Sequence, residues 1–315
     1  MGHEAHCHDG PEGHEHGHGH VHAPKDFNTA FAIGVALNTV LVVVQVVFGL
    51  IAHSLALVAD AGHNFADVLG LVLAWWASRL AKSRPTKQRT YGMGSASILA
   101  ALANAVFLLV TMGAVGWEGI QRLRQPHEVQ GAIVIWVAAL GIAVNGGSAA
   151  LFYSGRKGDL NVRGAFLHLA ADAGISLGVV LAGLLIVLTG KLWIDPVMSL
   201  IITAIIIYGT WGLFRDSMNL ALQAVPRGID VGEVRAWLEK RPGIVAVHDL
   251  HIWAMSTTET ALTAHLVKPD GKLDDGLLRE IGEEMEHRFS IGHVTLQWEE
   301  GKGDRPCPQE PDHVV

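Results

Sequence analysis

The stretch L-A-L-V-A-D-A-G-H-N-F-A-D-V-L-G-L-V-L-A-W-W, at Leu55–Trp76, decides the fold of this chain. It is apolar and long enough to cross a bilayer as a helix, because about 20 apolar residues span the hydrocarbon core. Within it lie four polar residues, Asp60, His63, Asn64 and Asp67. A charge at the bilayer centre costs roughly 2.5–3.5 kcal/mol on insertion scales, so ionisable residues at this depth are candidates for function.

A histidine and an aspartate four residues apart occur in two apolar stretches. His63 and Asp67 form the first pair, and H-L-A-A-D, from His168 to Asp172, forms the second. Residues four apart lie on the same face of a helix. A single pair is also explained by a structural hydrogen bond. Two pairs on separate helices supply two imidazoles and two carboxylates, a set that suits a tetrahedral divalent ion such as Zn²⁺.

The composition indicates a membrane protein. Of the 315 residues, 50% are hydrophobic and 17% are charged, and the mean hydropathy is +0.32. The apolar residues form six runs, each long enough to span about 30 Å as a helix. These runs are 28–51, 55–80, 96–118, 131–153, 163–188 and 192–213. The sequence therefore predicts an all-α six-helix transmembrane domain in a lipid bilayer.

Lysine and arginine residues predict the orientation of the spans. They gather in the loops after the second and fourth runs and are sparse in the loops on the opposite side. By the positive-inside rule the basic loops are cytoplasmic, and an even number of spans places both termini in the cytoplasm. The two cysteines, Cys7 and Cys307, lie in polar tails, so no disulfide framework is indicated. The net charge of −7 gives no indication of a nucleic-acid surface.

After Phe214 the composition changes from apolar to mixed. Periodicity predicts the order α-β-β-α-β, at 227–241, 244–255, 259–267, 274–288 and 293–299. We expect a small cytoplasmic α+β domain of ferredoxin-like type, which is short and would be more stable as a dimer. The expected division of the chain is a tail, the six-span domain, the α+β domain and a second tail, at 1–25, 26–215, 216–300 and 301–315.

The N-terminal segment 1–25 is rich in histidine and low in complexity. It has too few apolar residues to form a core, so we expect it to be disordered without a ligand. Its histidines, interleaved with Gly, Glu and Asp, favour weak multivalent capture of divalent metals. The alternatives are an inert solvated tail and a purification tag; the irregular spacing and the mixed acids argue against a tag.

These features together resemble the cation diffusion facilitator family. The resemblance rests on the two H-x-x-x-D pairs, the run L-A-L-V-A-D-A-G-H-N-F-A-D, the six runs, the histidine-rich tail and the segment V-H-D-L-H-I-W, and it covers residues 28–300. It is closest to the bacterial zinc, cobalt and cadmium efflux members and to the vertebrate vesicular zinc transporters. It implies a homodimeric secondary transporter that exports Zn²⁺ from the cytoplasm in exchange for protons.

The resemblance also implies which residues bind the transported ion. His63, Asp67, His168 and Asp172 match the transport-site ligands, and a histidine at the first position points to zinc. Export of Co²⁺, Cd²⁺ or Ni²⁺ by the same mechanism is the alternative. Because no eukaryotic targeting feature is visible, we expect the protein in a bacterial inner membrane.

A second metal site is implied in the C-terminal domain. His248, His265 and Glu299 match family positions that bind regulatory zinc at the dimer interface. His6 and Cys7 belong to an H-C-H triplet. In some vesicular members, such a triplet completes this site from the neighbouring protomer.

Five other residues receive weaker assignments. His251 and His293 lie near the second site in sequence, without a defined role. Cys307 lacks the second cysteine of a C-x-x-C arrangement, which argues against a cysteine site there. Asp60 lies about one turn before the first pair, where it could be a supporting group, a proton relay or part of a gate. Asp195 precedes a proline at the start of the sixth run, which predicts helix capping.

Two other functional classes are disfavoured. An intramembrane metalloprotease expects an H-E-x-x-H helix with a glutamate as general base, and none of the six apolar runs contains such a segment. A membrane metal sensor expects an effector domain, and the region after the last run is too short for one. We therefore expect a transporter and not an enzyme.

Overall fold

The computed structural model describes residues 29–153, 160–270, 272, 274–301 and 307–309. Six long helices come first in chain order. They are α1 Thr29–Ile51, α2 Leu55–Ala81, α3 Ala96–Arg124, α4 Gly131–Phe152, α5 Leu160–Thr189 and α6 Ile194–Ala221. Among the described residues, five helices, α2 to α6, are long and apolar enough to cross a membrane, and α1 contributes a shorter apolar stretch at Val35–Ile51.

Two helices extend the farthest beyond the C-terminal ends of the apolar runs that predicted them. α3 continues past position 118 to Arg124, and α6 continues past position 213 to Ala221. In the added turns of α3, Arg122 Nε lies 2.9 Å from Glu118 Oε1, a spacing of four residues that supports a helix in water. Apolar periodicity ends where the bilayer ends, whereas the backbone hydrogen bonds of the helix continue.

A tight turn joins α1 to α2. His53 has a left-handed φ of 54°, and the Ser54 hydroxyl accepts a hydrogen bond from Leu57 N at the start of α2. Asp195 of α6 reaches across to the same place, where its carboxylate accepts hydrogen bonds from Ser54 Oγ at 2.5 Å and Leu55 N at 2.7 Å. The prediction that Asp195 caps its own helix is therefore wrong. It caps α2, because the free N–H groups there are buried and need an acceptor.

Small side chains let the helices approach one another. α1 contacts α2, α2 contacts α3, α3 contacts α6, and α4 contacts α5. A Cβ added at Gly131 of α4 would lie 2.9 Å from the backbone oxygen of Gly183 in α5, so only glycine fits. The core of the bundle includes the fully buried alanines Ala52, Ala56, Ala59 and Ala66. Small residues at contacts between helices are typical of membrane proteins, because they let the backbones approach closely.

The C-terminal domain follows α6. Its elements are α7 Val231–Glu239, β1 Ala246–Ala254, β2 Thr260–Val267, α8 Asp275–Phe289 and β3 His293–Glu299. β1 and β2 form an antiparallel hairpin, and β2 pairs with β3 in parallel. Asp230 caps α7 by accepting hydrogen bonds from the backbone nitrogens of Gly232 and Glu233.

The register of the sheet brings chemically active side chains together. His248 on β1 pairs directly with His265 on β2. β1 shifts register between His248 and His251, where Asp249 has a left-handed φ of 51°. An irregularity of this kind re-aims side chains next to a site. Both helices of the domain share one apolar core with the sheet, which includes Leu238, Leu262, Leu266 and Ile281.

The loop between α2 and α3 and the first turn of α3 contact the C-terminal domain. Thr257 N, in the turn of the hairpin, donates a hydrogen bond to Ser97 Oγ at 3.0 Å. The Tyr91 ring meets the His293 ring edge-on, with their centroids 5.4 Å apart. The helical bundle and the sheet are therefore in direct contact as well as joined through α6.

Candidate metal centres

The four residues of the two H-x-x-x-D pairs come together between α2 and α5. His63 Nε2 lies 3.1 Å from Asp172 Oδ1 and 3.8 Å from Asp67 Oδ2. His168 Nε2 lies 3.4 Å from Asp67 Oδ2 and 3.6 Å from Asp172 Oδ2. Each imidazole therefore faces one carboxylate from its own helix and one from the other helix.

This transmembrane cluster is closed on one side and open on the other. The ligand atoms of His63, Asp67 and Asp172 all lie within 4.8 Å of one another, and His168 is outside that set. The His168 side chain is 50% exposed, whereas that of Asp172 is 4% exposed. Because zinc binds nitrogen and oxygen at about 2.0–2.2 Å, a bound ion would draw the four side chains inwards.

A buried polar network joins α1, α2 and α5 beside this cluster. Gln45 Nε2 donates a hydrogen bond to Asp60 Oδ2 at 2.7 Å, and Gln45 Oε1 accepts one from Asn64 Nδ2 at 3.0 Å. Ser176 Oγ donates to the same oxygen of Asp60 at 3.2 Å. Gln45 of α1 therefore forms hydrogen bonds that join α1 to α2. Ser176 was missed, although it lies four residues after Asp172 and so on the same helix face.

A second cluster, the sheet cluster, consists of His248, His265, Glu299 and Cys307. His248 Nε2 lies 3.2 Å from Glu299 Oε2, and His265 Nδ1 lies 3.1 Å from Glu299 Oε1. Cys307 Sγ lies 3.7 Å from His265 Nδ1. One ligand atom from each of the four side chains lies within 4.8 Å of all the others. Imidazole, carboxylate and thiolate are the ligands that zinc prefers in proteins.

Three members of the sheet cluster were predicted, and one was not. The expectation that argued against a cysteine site at Cys307 is corrected by its approach to His265. A second nearby cysteine is unnecessary, because the sheet already supplies two imidazoles and a carboxylate. The other proposed contributors, His6 and Cys7, lie outside the described residues.

Asp249 contacts the nitrogen of His265 that points away from the sheet cluster. Its Oδ2 lies 3.3 Å from His265 Nε2, which leaves Nδ1 of that ring facing the cluster. A carboxylate on the outer nitrogen is typical of histidines that bind metal. The other Asp249 oxygen lies 2.9 Å from His251 Nε2. His251 is thus a partner of Asp249, while His293 contacts Tyr91 instead.

Comparison with known families assigns each of the two domains to a family model. The cation efflux transmembrane domain matches residues 31–220, and the cytoplasmic domain of cation efflux proteins matches residues 226–301. The chain belongs to the cation efflux family. The resemblance drawn from the sequence is confirmed, and this cation efflux protein is an integral, multi-pass membrane protein.

Curated relatives match nearly the whole length of this cation efflux protein. The cation efflux system protein CzcD of Alcaligenes sp. (strain CT14) is 34% identical over 96% of this chain and 91% of its own. The zinc transporter ZitB of Escherichia coli (strain K12) is 34% identical over 91% of this chain and 92% of its own. The cadmium, cobalt and zinc/H(+)-K(+) antiporter of Bacillus subtilis (strain 168) is 33% identical over 85% of this chain and 87% of its own.

Proposed function

We propose that this cation efflux protein exports Zn²⁺ from the cytoplasm in exchange for protons, with His63, Asp67, His168 and Asp172 as ligands. The observation that carries the proposal is the convergence of these side chains, in which each histidine Nε2 lies 3.1–3.8 Å from both carboxylates. Two nitrogen and two oxygen ligands suit tetrahedral zinc. The names of the relatives, among them a zinc transporter, support the same substrate.

The chemistry of these ligands couples the ion to protons. Zinc binds only deprotonated imidazole and carboxylate, so metal and protons compete for the same lone pairs. Histidine titrates near physiological pH, which brings this competition into the working range. When the site faces the cytoplasm, zinc displaces protons. When it faces the opposite side at higher proton activity, protons return and release zinc.

The packing of the helices supports alternating access at this site. α2 packs mainly against α1 and α3, whereas α5 packs mainly against α4, and the contact between α2 and α5 is small. The ligands lie across this small contact, two on each helix. A relative movement of α2 and α5 would therefore change the ligand geometry without breaking a large apolar interface, as rocking mechanisms in transporters require.

The competing substrates are Co²⁺, Cd²⁺ and Ni²⁺, carried by the same mechanism. The Bacillus subtilis relative is named for cadmium, cobalt and zinc. A nitrogen and oxygen set without sulfur favours zinc over the softer cadmium. The function is transport and not catalysis, because the cluster has two ligands per helix in H-x-x-x-D spacing and no apolar run contains an H-E-x-x-H segment.

The proposed architecture has six spans, with α1 as the first, and both termini in the cytoplasm of a bacterium, in its inner membrane. The basic loops after the second and fourth spans support this orientation. The proposed parts are the tail 1–25, the transport domain 26–215, the dimerisation domain 216–300 and the tail 301–315. The protein works as a homodimer in which the sheet cluster binds regulatory zinc, helped by His6 and Cys7 of the histidine-rich tail.

Zinc-driven proton movement in proteoliposomes tests the function. The intact protein should release protons when zinc is added on the side of uptake, and its zinc flux should follow the pH gradient. Asp67→Ala should abolish the exchange, because one of the four ligands is gone. Glu118→Gln is the matched control, since Glu118 contacts Arg122 and lies far along α3. Zinc flux that is indifferent to the pH gradient would refute exchange, and full activity in Asp67→Ala would refute the site.

A further inference from the structure

The sheet cluster contains a buried histidine nitrogen without a hydrogen-bond partner. His248 is 7% exposed, and no hydrogen bond satisfies its Nε2 among the described residues. Glu299 Oε2 is 3.2 Å away, within ion-pair distance, but the direction of approach is not that of a hydrogen bond. An unsatisfied polar atom in a buried position is costly, so this nitrogen needs a ligand.

The last described segment of the chain, residues 307–309, lies beside His248 and the other residues of the sheet cluster. Cys307 Sγ lies 3.7 Å from His265 Nδ1 and within 4.8 Å of ligand atoms of His248 and Glu299. Glu299 is the last residue of β3, and Cys307 lies beside the ligand atoms that the sheet supplies. Four donors from one protomer thus surround a common point.

We propose that Cys307 supplies a thiolate as the fourth ligand of a zinc ion held by His248, His265 and Glu299. The inference deepens the regulatory site of the proposed function and rests on it. It changes that site in one respect: the fourth ligand comes from the same protomer, so the site is complete without His6 or Cys7 of a neighbour.

The donor set explains the arrangement. Four protein ligands complete the tetrahedron that zinc prefers, whereas catalytic zinc sites keep one position for water or substrate. Sulfur is the softest of the four donors and favours Zn²⁺ and Cd²⁺ over harder ions. Asp249 holds the outer nitrogen of His265, which turns the inner nitrogen toward the ion. A bound ion would also tie the C-terminal segment to the sheet.

Cobalt absorption in the full-length protein tests this inference. Co²⁺ bound by a thiolate shows a sulfur-to-metal charge-transfer band in the near ultraviolet, and histidine and carboxylate sites do not. The sequence has two cysteines, so Cys7→Ser is the matched control for Cys307→Ser. We expect the band in the wild type and in Cys7→Ser, at one thiolate per protomer, and its loss in Cys307→Ser. Zinc competition should show affinity at the sheet cluster at least about 100-fold weaker in Cys307→Ser, since loss of an outer partner alone costs 10–100-fold.

The outcomes separate this inference from the transport proposal. Asp67→Ala should keep the band while losing exchange, and Cys307→Ser should keep exchange at saturating zinc. A band that survives Cys307→Ser and vanishes in Cys7→Ser would overturn the inference in favour of a ligand from the tail. Cobalt binding without any thiolate band would overturn it in favour of a site without sulfur. If Cys307→Ser folds poorly, alkylation of Cys7→Ser decides instead: zinc should protect the remaining thiol, and equal labelling with and without zinc would refute the inference.

Discussion

The transmembrane cluster draws its four side chains from two helices that hardly touch, whereas the sheet cluster draws three of its members from hydrogen-bonded strands. In the first, side-chain exposure runs from 4% at Asp172 to 50% at His168. In the second, the side chains of His248 and His265 are 8% and 10% exposed. Both clusters contain two histidines and at least one carboxylate, so the kinds of residue do not distinguish them.

The difference lies in how firmly each cluster is held. A β-sheet fixes the distance between paired residues through its register, so the geometry around His248 and His265 changes only if the sheet does. The separation of α2 and α5 is fixed by few contacts. The loosely held geometry between α2 and α5 suits an ion that must be released. The fixed geometry of the sheet cluster suits an ion that must be retained. The same metal can therefore be cargo in one place and a fixed component in another.

The largest expected effect comes from removing one carboxylate charge in each cluster. Asp172→Asn should lower zinc transport by at least about 100-fold, because the loss of an outer partner alone costs 10–100-fold and Asp172 contacts both histidines. Glu299→Gln should leave the maximal transport rate within about two-fold of the wild type and should weaken only the zinc bound at the sheet. Zinc flux in proteoliposomes and zinc titration of the purified protein measure the two effects.

Two results would contradict the different roles assigned to the two clusters. If Glu299→Gln stopped transport as completely as Asp172→Asn, the sheet cluster would belong to the transport path. If neither variant changed transport, the transmembrane cluster would be a structural feature of the bundle.

Asp249→Asn tests how firmly the sheet cluster is oriented. The change removes the negative charge behind His265, so zinc affinity at the sheet should fall by about 10–100-fold. His251→Ala is the matched control, because His251 contacts Asp249 and is not a member of the sheet cluster. Isothermal titration of the two variants gives the comparison. Equal losses in both would mean that the hydrogen-bonded chain matters as a whole, and not the orientation of His265.

Both histidine–aspartate pairs could be predicted because helical periodicity is local. Four residues make about one turn, so H-x-x-x-D places a nitrogen and an oxygen on one face, whatever the rest of the fold does. The meeting of the two pairs between α2 and α5 is a tertiary contact, which the repeated motif suggested and the family resemblance implied. The six apolar runs each lie in a helix, since a long run of apolar residues has few other solutions in a bilayer.

The misses share a physical cause, which is contact across a large sequence separation. Asp195 was assigned to its nearest helix end, but it caps α2, about 140 residues away. Ser176 and Cys307 show no motif, and only the packing of α5 on α2 and the proximity of Cys307 to His265 reveal their partners. Local pattern therefore predicted which elements form, and non-local packing decided which polar groups meet.

The variant Asp60→Asn tests whether the buried hydrogen bonds of Asp60 support the transmembrane cluster. Asp60 accepts hydrogen bonds from Gln45 and Ser176 and holds α1, α2 and α5 together without contacting the ligand side chains. The transport rate should fall by about 10-fold, the lower end of what outer partners contribute, with little change in the zinc concentration for half-maximal rate. Ser176→Ala, which removes one of these bonds, should have a smaller effect. A loss as complete as that of Asp172→Asn would make Asp60 part of the ion or proton path and not a support.

The smallest expected effect belongs to the histidine-rich tail. Deletion of residues 1–24 should raise the zinc concentration for half-maximal transport by about three-fold and leave the maximal rate unchanged, because a multivalent tail only raises the local concentration of zinc. A chain of unchanged length with the tail histidines replaced by glutamine should behave like the deletion, which separates metal capture from tail length. If the deletion instead removed the zinc held at the sheet, His6 or Cys7 would be a true ligand there. The sheet cluster would then be shared between protomers, and its firm geometry would come from the dimer and not from one chain.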